Sequence, residues 1–480
     1  MEDDGQNQPP KPATVPGKNA GVLIRADNGD VITYDETGLT LRLSDTVLAD
    51  LQRRLSMNPD TEALLGDIDA WNIRREGDWL KFSAQLDRNL PPRDYQRAAD
   101  GGDIIAAAPG PIYAILGLGG PRRAGFNDAP AAFRHHVLAP GDHIGGVGLE
   151  GTARAEATET LQYLPYATRE ALIADTLLDW RRAAQRSLPH FLVRAETDSS
   201  ADIAALACGE AYANFLVALD NLNAIAARLG KAAKVLAVGL DYSLEDRKSD
   251  PATYAEGMRG LMRQIERDMG QRGLQRPIFL MNFETGTERI GDHASIRGQW
   301  ELAWSHSTHL FAFAAPGYMF EVDRFGRPTD DSRTRMAEMD AHAIVALSAR
   351  ENWSCPLFLL AEQEGTVIRV TAESMSDLVL DAADPFAAGP DCGFAVTCTD
   401  RPVTILSVRL ADDDTKTILV ECDSAPEGDM AELRYAYGGS AGAMNRGAVR
   451  DSWSVPSRAG EVALHRWALP AILPIRRGAA

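Results

Sequence analysis

What this 480-residue chain lacks narrows its chemistry. It has no run of ~18 or more apolar residues, so a transmembrane helix is not expected. The start, Met1-Glu2-Asp3-Asp4, has neither the basic residues nor the apolar core of a secretory signal, and synthesis in the cytoplasm is expected. Cysteine is scarce, odd in number and scattered (Cys208, Cys355, Cys392, Cys398, Cys422). Without a CxxC pair, zinc and redox motifs find no support, and buried reduced thiols are the expectation. Basic residues are in deficit: Lys and Arg total 49 against 68 Asp and Glu, a formal net charge of −19. Phosphate backbones and anionic membranes need a basic face, so nucleic acid and membrane insertion are excluded as partners. H-E-x-x-H, EF-hand spacing and tandem repeats are all missing. Gly117-x-Gly119-Gly120 falls short of a dinucleotide fingerprint because Pro121 interrupts it. No cofactor and no metal are expected.

What is present is an ordinary globular composition, 45% hydrophobic and 24% charged. The length suits two or three cores, because a single core rarely grows past ~250–300 residues. Residues 1–20 are polar and rich in proline and read as a disordered or docking arm. Residues 21–105 read as a small α+β or β-rich module. In it, Val22-Leu23-Ile24 and Val31-Ile32-Thr33-Tyr34 flank Asn28-Gly29, a hairpin signature. Ser44 is placed to cap a helix carrying Val47, Leu48, Leu51 and Leu55, and Trp71, Trp79, Leu80 and Phe82 suggest further strand.

Residues 106–350 carry near-continuous apolar runs at 112–116, 235–239, 277–282 and 310–315, the pattern of parallel strands buried on both faces. Helical patterns at 170–186, 203–229, 251–269 and 335–347 alternate with them. Asp250 before Pro251 is a strong helix start. The alternation predicts an α/β parallel sheet flanked by helices. Residues 351–480 show short strands at 366–370, 378–380, 393–396, 403–406 and 417–420, which predict a β-sandwich-like domain.

Several fragments then fall in one order. They are Ile203-Ala204-Ala205-Leu206 through Gly209 and Tyr212, the run 235–238, Tyr254-Ala255-Glu256-Gly257-Met258, and Pro316-Gly317-Tyr318. Residues 353–356, Leu433-Arg434-Tyr435-Ala436-Tyr437, Arg450-Asp451-Ser452 and Trp467-Ala468-Leu469-Pro470 follow. This order resembles the SGNH/GDSL hydrolases, in particular sialate O-acetylesterase-like members of the phage type. The resemblance implies a flavodoxin-like parallel sheet. It also implies acyl transfer by a serine, activated by a histidine that an aspartate orients, with an oxyanion hole opposite.

Under that resemblance the catalytic positions hold other residues. Pro121 stands at the nucleophile. Ser199 and Ser200 occupy the segment where a glycine would let backbone approach the substrate. Only an acidic residue, Asp241, survives in the segment after the next strand. Asp323 matches the last aspartate, and Arg327 stands near the base, where a permanently protonated guanidinium cannot accept a proton.

Three readings follow. The first is a catalytically degenerate, virion-associated tail or spike protein that is structural or recognises surface polysaccharide. Its partners would be other virion subunits and copies of itself. Arg122, Arg123, Asp323 and Arg327 are its ligand-binding candidates, the arginines suiting an acidic sugar, with salt bridging to the chain's many carboxylates as the competing role. The second is an active carbohydrate O-acetylesterase with a rearranged site drawn from Ser199, Ser200, Asp323 and His342. Against it, Ser199 and Ser200 are placed to cap a helix beginning near Ala201. The third is a cytoplasmic scaffold. His135, His136, His143, Asp292-His293, His306 and His309 read as structural, and Asp412-Asp413-Asp414 as a solvated hairpin tip.

Overall fold

The computed structural model describes residues 21–25, 31–35, 38–44, 47, 64–87, 90–149, 154–199, 202–287, 290–305, 308–398, 401–428, 430–437 and 445–477. The expected arm at 1–20, the Asn28-Gly29 turn, most of the helix expected after Ser44, Ser200 and His306 lie outside them. The chain divides into two compact units, residues 1–75 with 82–92 and residues 76–81 with 93–480. The first unit contains an antiparallel three-stranded meander, Gly21–Arg25, Val31–Asp35 and Gly38–Arg42.

The second unit is built on a mostly parallel sheet. Its strands are β1 (Ile112–Gly119), β2 (Val137–Pro140), β3 (Val147–Leu149), β4 (Leu161–Gln162), β5 (His190–Thr197), β6 (Ala233–Asp241), β7 (Ile278–Phe283) and β8 (Phe311–Pro316). They lie in the order β4-β2-β5-β1-β6-β7-β8, with β3 beside β5. The strands β5, β1, β6, β7 and β8 pair in parallel, and β4 runs antiparallel to β2. In chain order these five parallel strands stand 2-1-3-4-5, the flavodoxin-like arrangement. Its ligand crevice opens at the carboxyl ends of the strands where the order reverses, here between β1 and β6.

Among the described residues, six helices accompany the strands: α1 (Arg169–Ala183), α2 (Ile203–Leu206), α3 (Glu210–Arg228), α4 (Pro251–Gln271), α5 (Ala294–Ser305) and α6 (Asp330–Ser348). Asp250 caps α4 by accepting from Thr253 N at 2.8 Å, and Thr329 caps α6. The single helix expected over 203–229 is two, because the chain turns at 207–209 and restarts from Gly209. The cap of α2 is Asp202, which accepts from Ala205 N at 2.7 Å. The role expected of Ser199 or Ser200 thus falls to the next acidic residue. The stretch Ile203–Arg228 is long and apolar enough to cross a membrane by length and composition. Its Tyr212, Phe215, Leu219, Leu222 and Ile225 are nonetheless buried in the core.

The apolar-run reading passes over β5, the strand beside β1. All eight of its residues are buried, but Arg194 and Glu196 break the apolar pattern. They are tolerated because Arg194 pairs with Glu196 and with Asp142, each at 2.6 Å, and a buried charge needs such partners.

After α6 come two β-sheets. One has seven strands, in the order Phe394–Thr397, Glu432–Tyr435, Ala471–Arg477, Leu357–Glu364, Val367–Glu373, Thr417–Cys422 and Ile405–Leu410. The other has Leu378–Leu380, Val449–Pro456 and Ala463–Trp467. Tyr435 ties them together, its hydroxyl accepting from Val449 N at 3.1 Å. Their core runs on into that of the parallel sheet: Cys355, Leu357, Tyr437, Leu469 and Ile472 share one cluster with Met281, Phe283 and Phe313. Trp353 Nε1 donates to Ala314 O at 3.3 Å and Tyr318 to Ala468 O at 2.5 Å, fastening the two layers.

Candidate functional site

The crevice between β1 and β6 is made by glycines. Gly117 of β1 and Gly239 of β6 are directly opposite in the ladder. A Cβ on Gly117 would collide with the Arg123 guanidinium and the Glu170 carboxylate, and one on Gly239 with Arg123 again. The two glycines therefore form a slot, and Arg123 lies in it. The chain reaches this position by a sharp exit from β1. Gly120 N donates to Asp241 O at 2.9 Å, and a 3-10 turn, Pro121–Ala124, follows. Proline at the first position of such a turn has its φ preset. The turn returns Arg122 and Arg123 over the strand ends.

Around these arginines stands a lattice of charge. Arg122 Nε donates to Glu245 Oε1 at 2.8 Å, and its Nη2 to Glu284 Oε2 at 2.8 Å and Ser243 Oγ at 2.9 Å. Ser243 Oγ donates in turn to Glu284 at 2.6 Å, and Thr285 N and Gly286 N hold the other Glu284 oxygen. Arg123 pairs with Glu170 at 2.5 Å and with Asp241. Arg169 enters on the first turn of α1, which Thr168 caps. It reaches Asp241 at 2.7 Å and Asp340 at 2.6 Å. The Asn282 carbonyl oxygen accepts from the same guanidinium at 2.6 and 2.8 Å.

The electrostatics follow from burial and pairing. Burial pulls the Arg122 guanidinium down, but Glu284 and Glu245 outweigh it, and its proton is held above the ordinary arginine range. Burial pushes Asp241 up, yet Arg169 and Arg123 hold it below the usual carboxylate range. Glu284 is likewise lowered, burial being overcome by Arg122 and Ser243. Asp340 moves the other way, because burial outweighs Arg169.

Above the lattice opens a cleft of about 110 Å³. Phe283, Phe320, Val322 and Met336 give it apolar walls, and Gln299 adds a polar edge. Among the described residues no histidine lines it, and its serine, Ser243, is spent on Glu284. Serine-based acyl transfer needs a base within reach of the hydroxyl. What the cleft offers instead is a fixed set of hydrogen-bonding groups for a polar ligand.

The sequence-derived residues are distributed as follows. Arg122, Arg123 and Asp241 line the cleft. Pro121, Asp323 and Arg327 come together along an adjoining groove that shares Gly125, Pro328 and Arg333 with the cleft. There Asp323 accepts from Phe325 N at 2.8 Å and Arg327 N at 2.9 Å, forming a turn. The Arg327 backbone bond holds its carboxyl below the usual range. Arg327 itself is exposed, with its guanidinium 5.9 Å from the centre of the Phe325 ring. Ser199 is exposed just past β5 and lines neither space.

No described histidine lines the cleft, though His293 is near enough to Glu284, Glu245 and Arg122 to feel their charge. His342 sits among rings, 4.5 Å from Trp180 and 5.2 Å from Trp453 between centroids, and burial pushes it down to about 4. His293 Nδ1 bonds with Ser295 Oγ at 2.8 Å at the start of α5, and His309 faces Glu266 at 3.1 Å. Among the described residues no group of three or more His, Cys, Asp or Glu could hold a metal. Glu170, Ser243, Glu245, Glu284 and Arg169 escape the sequence reading, and Asp340 enters it only as a poorly placed partner for His342. One signal was available: Glu284 directly follows an apolar run, where a strand's carboxyl end places ligand-binding groups.

No family model matches the chain, and no curated protein matches it. Solved structures do. A carbohydrate acetylesterase from Xanthomonas citri matches with a TM-score of 0.48 and 14% identity, over 80% of this chain and 85% of that one. NanS matches at 0.34 and 12%, over 51% of this chain and 100% of its own. A carbohydrate acetylesterase from Sinorhizobium meliloti matches at 0.28 and 15%, over 49% and 99%.

Proposed function

We propose that this chain is a saccharide-recognition protein that binds its ligand in the strand-end cleft without hydrolysing it, and that it serves as a subunit of a virion or virion-like particle. One observation carries the first part: at the crevice between β1 and β6 an arginine, Arg123, fills the slot between Gly117 and Gly239, and no histidine lines the cleft among the described residues. A hydroxyl without a base is a poor nucleophile. A cleft whose partly exposed Val322 and Met336 give apolar walls above charged and amide groups suits a hydroxylated ring, whose edge takes hydrogen bonds and whose faces take apolar contact. The virion setting, with other subunits and copies of itself as partners, rests on the phage-type resemblance in the sequence.

Turnover of p-nitrophenyl acetate tests the catalytic half. The expected rate is that of buffer, for the protein itself and for its Ser199→Ala and Ser200→Ala variants. Turnover that either variant abolishes would establish the esterase reading instead. For the setting, immunogold label on purified particles is expected, whereas label confined to the free cytoplasm points to a scaffold.

A further inference from the structure

The arginines of the cleft look suited to an acidic sugar, but their pairing removes that option. Arg122 is shared by Glu245 and Glu284. Arg123 and Arg169 are shared by Glu170, Asp241 and Asp340. Each group holds one more carboxylate than guanidinium. Arg333, the remaining arginine of the lining, is taken by Asn127, Pro328 O and Asp330.

In the second group exposure points the same way. The side chains of Arg123 and Arg169 are 2% and 7% exposed, whereas Asp241 is 26% exposed. Glu245 and Glu284 show 12% and 10% to the cleft beside Arg122 at 28%. Arg122 Nη1 makes no hydrogen bond among the described residues and is left to donate to a ligand oxygen. A hydroxyl or carbonyl oxygen satisfies that donor without adding charge. A carboxylate would be brought against Glu245, Glu284 and Asp241 with no uncompensated cation among the described residues lining the cleft to meet it, and juxtaposed like charges in a partly desolvated site are strongly unfavourable.

We infer that the cleft selects neutral or amine-bearing sugars and rejects acidic ones. This rests on the saccharide reading above. The test is calorimetric titration of the full chain at about pH 6.5 with glucosamine, glucose and glucuronate, where the amine is protonated and ordinary carboxylates are ionised. Glucosamine is expected to bind most tightly and glucuronate most weakly, about tenfold or more apart. Glu245→Gln keeps a hydrogen-bond acceptor for Arg122 and removes one charge, so it should narrow that gap severalfold. Glucuronate binding as well as or better than glucosamine overturns the charge selection while leaving saccharide recognition standing. So does an unchanged gap in the variant. No heat from any of the three sugars overturns saccharide recognition itself, and this selection with it.

Discussion

A guanidinium lying across two glycines leaves no room for a methyl group. Gly117→Ala and Gly239→Ala must each displace Arg123, and overpacking of this kind destabilises by ~1–3 kcal/mol. Urea denaturation should report a loss of that size, while a loss below ~0.5 kcal/mol, the level of an ordinary surface change, would mean the slot is not filled. Arg123→Met leaves Glu170 fully buried without its cation, and stripping one partner from a buried pair costs about 3–5 kcal/mol. Adding Glu170→Gln should recover about 1–3 kcal/mol, because the two residues are coupled. At this scale the sequence showed half of the site. Arg122 and Arg123 are visible as charges at the end of an apolar run. Their partners Glu170, Glu245 and Glu284 come from three later segments, which only the folded sheet brings together.

Among the elements, the starts of β2 and β5 carry a titratable joint. His136 Nε2 faces Arg93 Nη1 at 2.7 Å, and its Nδ1 meets Pro189 O at 3.2 Å. His190 Nε2 meets Ala106 O at 2.7 Å. Burial, then His190 and Arg93, push His136 down to about 3, and burial, then Lys231, push His190 to about 4. In the unfolded chain both titrate near ~6.5. The folded form therefore stays neutral while the unfolded form gains protons. Stability is full above about pH 6.5 and falls as pH drops from there toward the folded values. For His136 the loss between about pH 6.5 and 5 is about 2 kcal/mol. His136→Asn should flatten the urea midpoint over that window relative to the parent; an unchanged slope would remove this histidine from the account. Asp175, raised by burial to about 6, acts in the opposite sense, so the comparison must be between parent and variant. Elements were legible where hydrophobic period and capping agreed, as at α4 with Asp250 and Pro251. They were hidden where buried ion pairs stood in for apolar residues, as with Arg194 and Glu196 in β5.

For the molecule as a whole, the sequence places a boundary near residue 350, yet residues 93–480 belong to one compact unit. The shared cluster explains why: Cys355, Leu357, Leu469 and Ile472 pack with Met281 and Phe313. A chain ending at residue 350 exposes that apolar surface, and large exposed patches drive association. Residues 93–350 expressed alone should aggregate, or keep far-ultraviolet dichroism while losing the near-ultraviolet signal of fixed packing. A soluble, cooperatively unfolding fragment would show that the layers are separable. The central claim is that the cleft between β1 and β6 binds a sugar and leaves it intact. A crystal soaked with an O-acetylated amino sugar measures this most directly. The account predicts density for the ligand beside Arg122 and Gln299 with its acetyl group in place. Density for a deacetylated sugar, or an acetyl group on a serine, would contradict it.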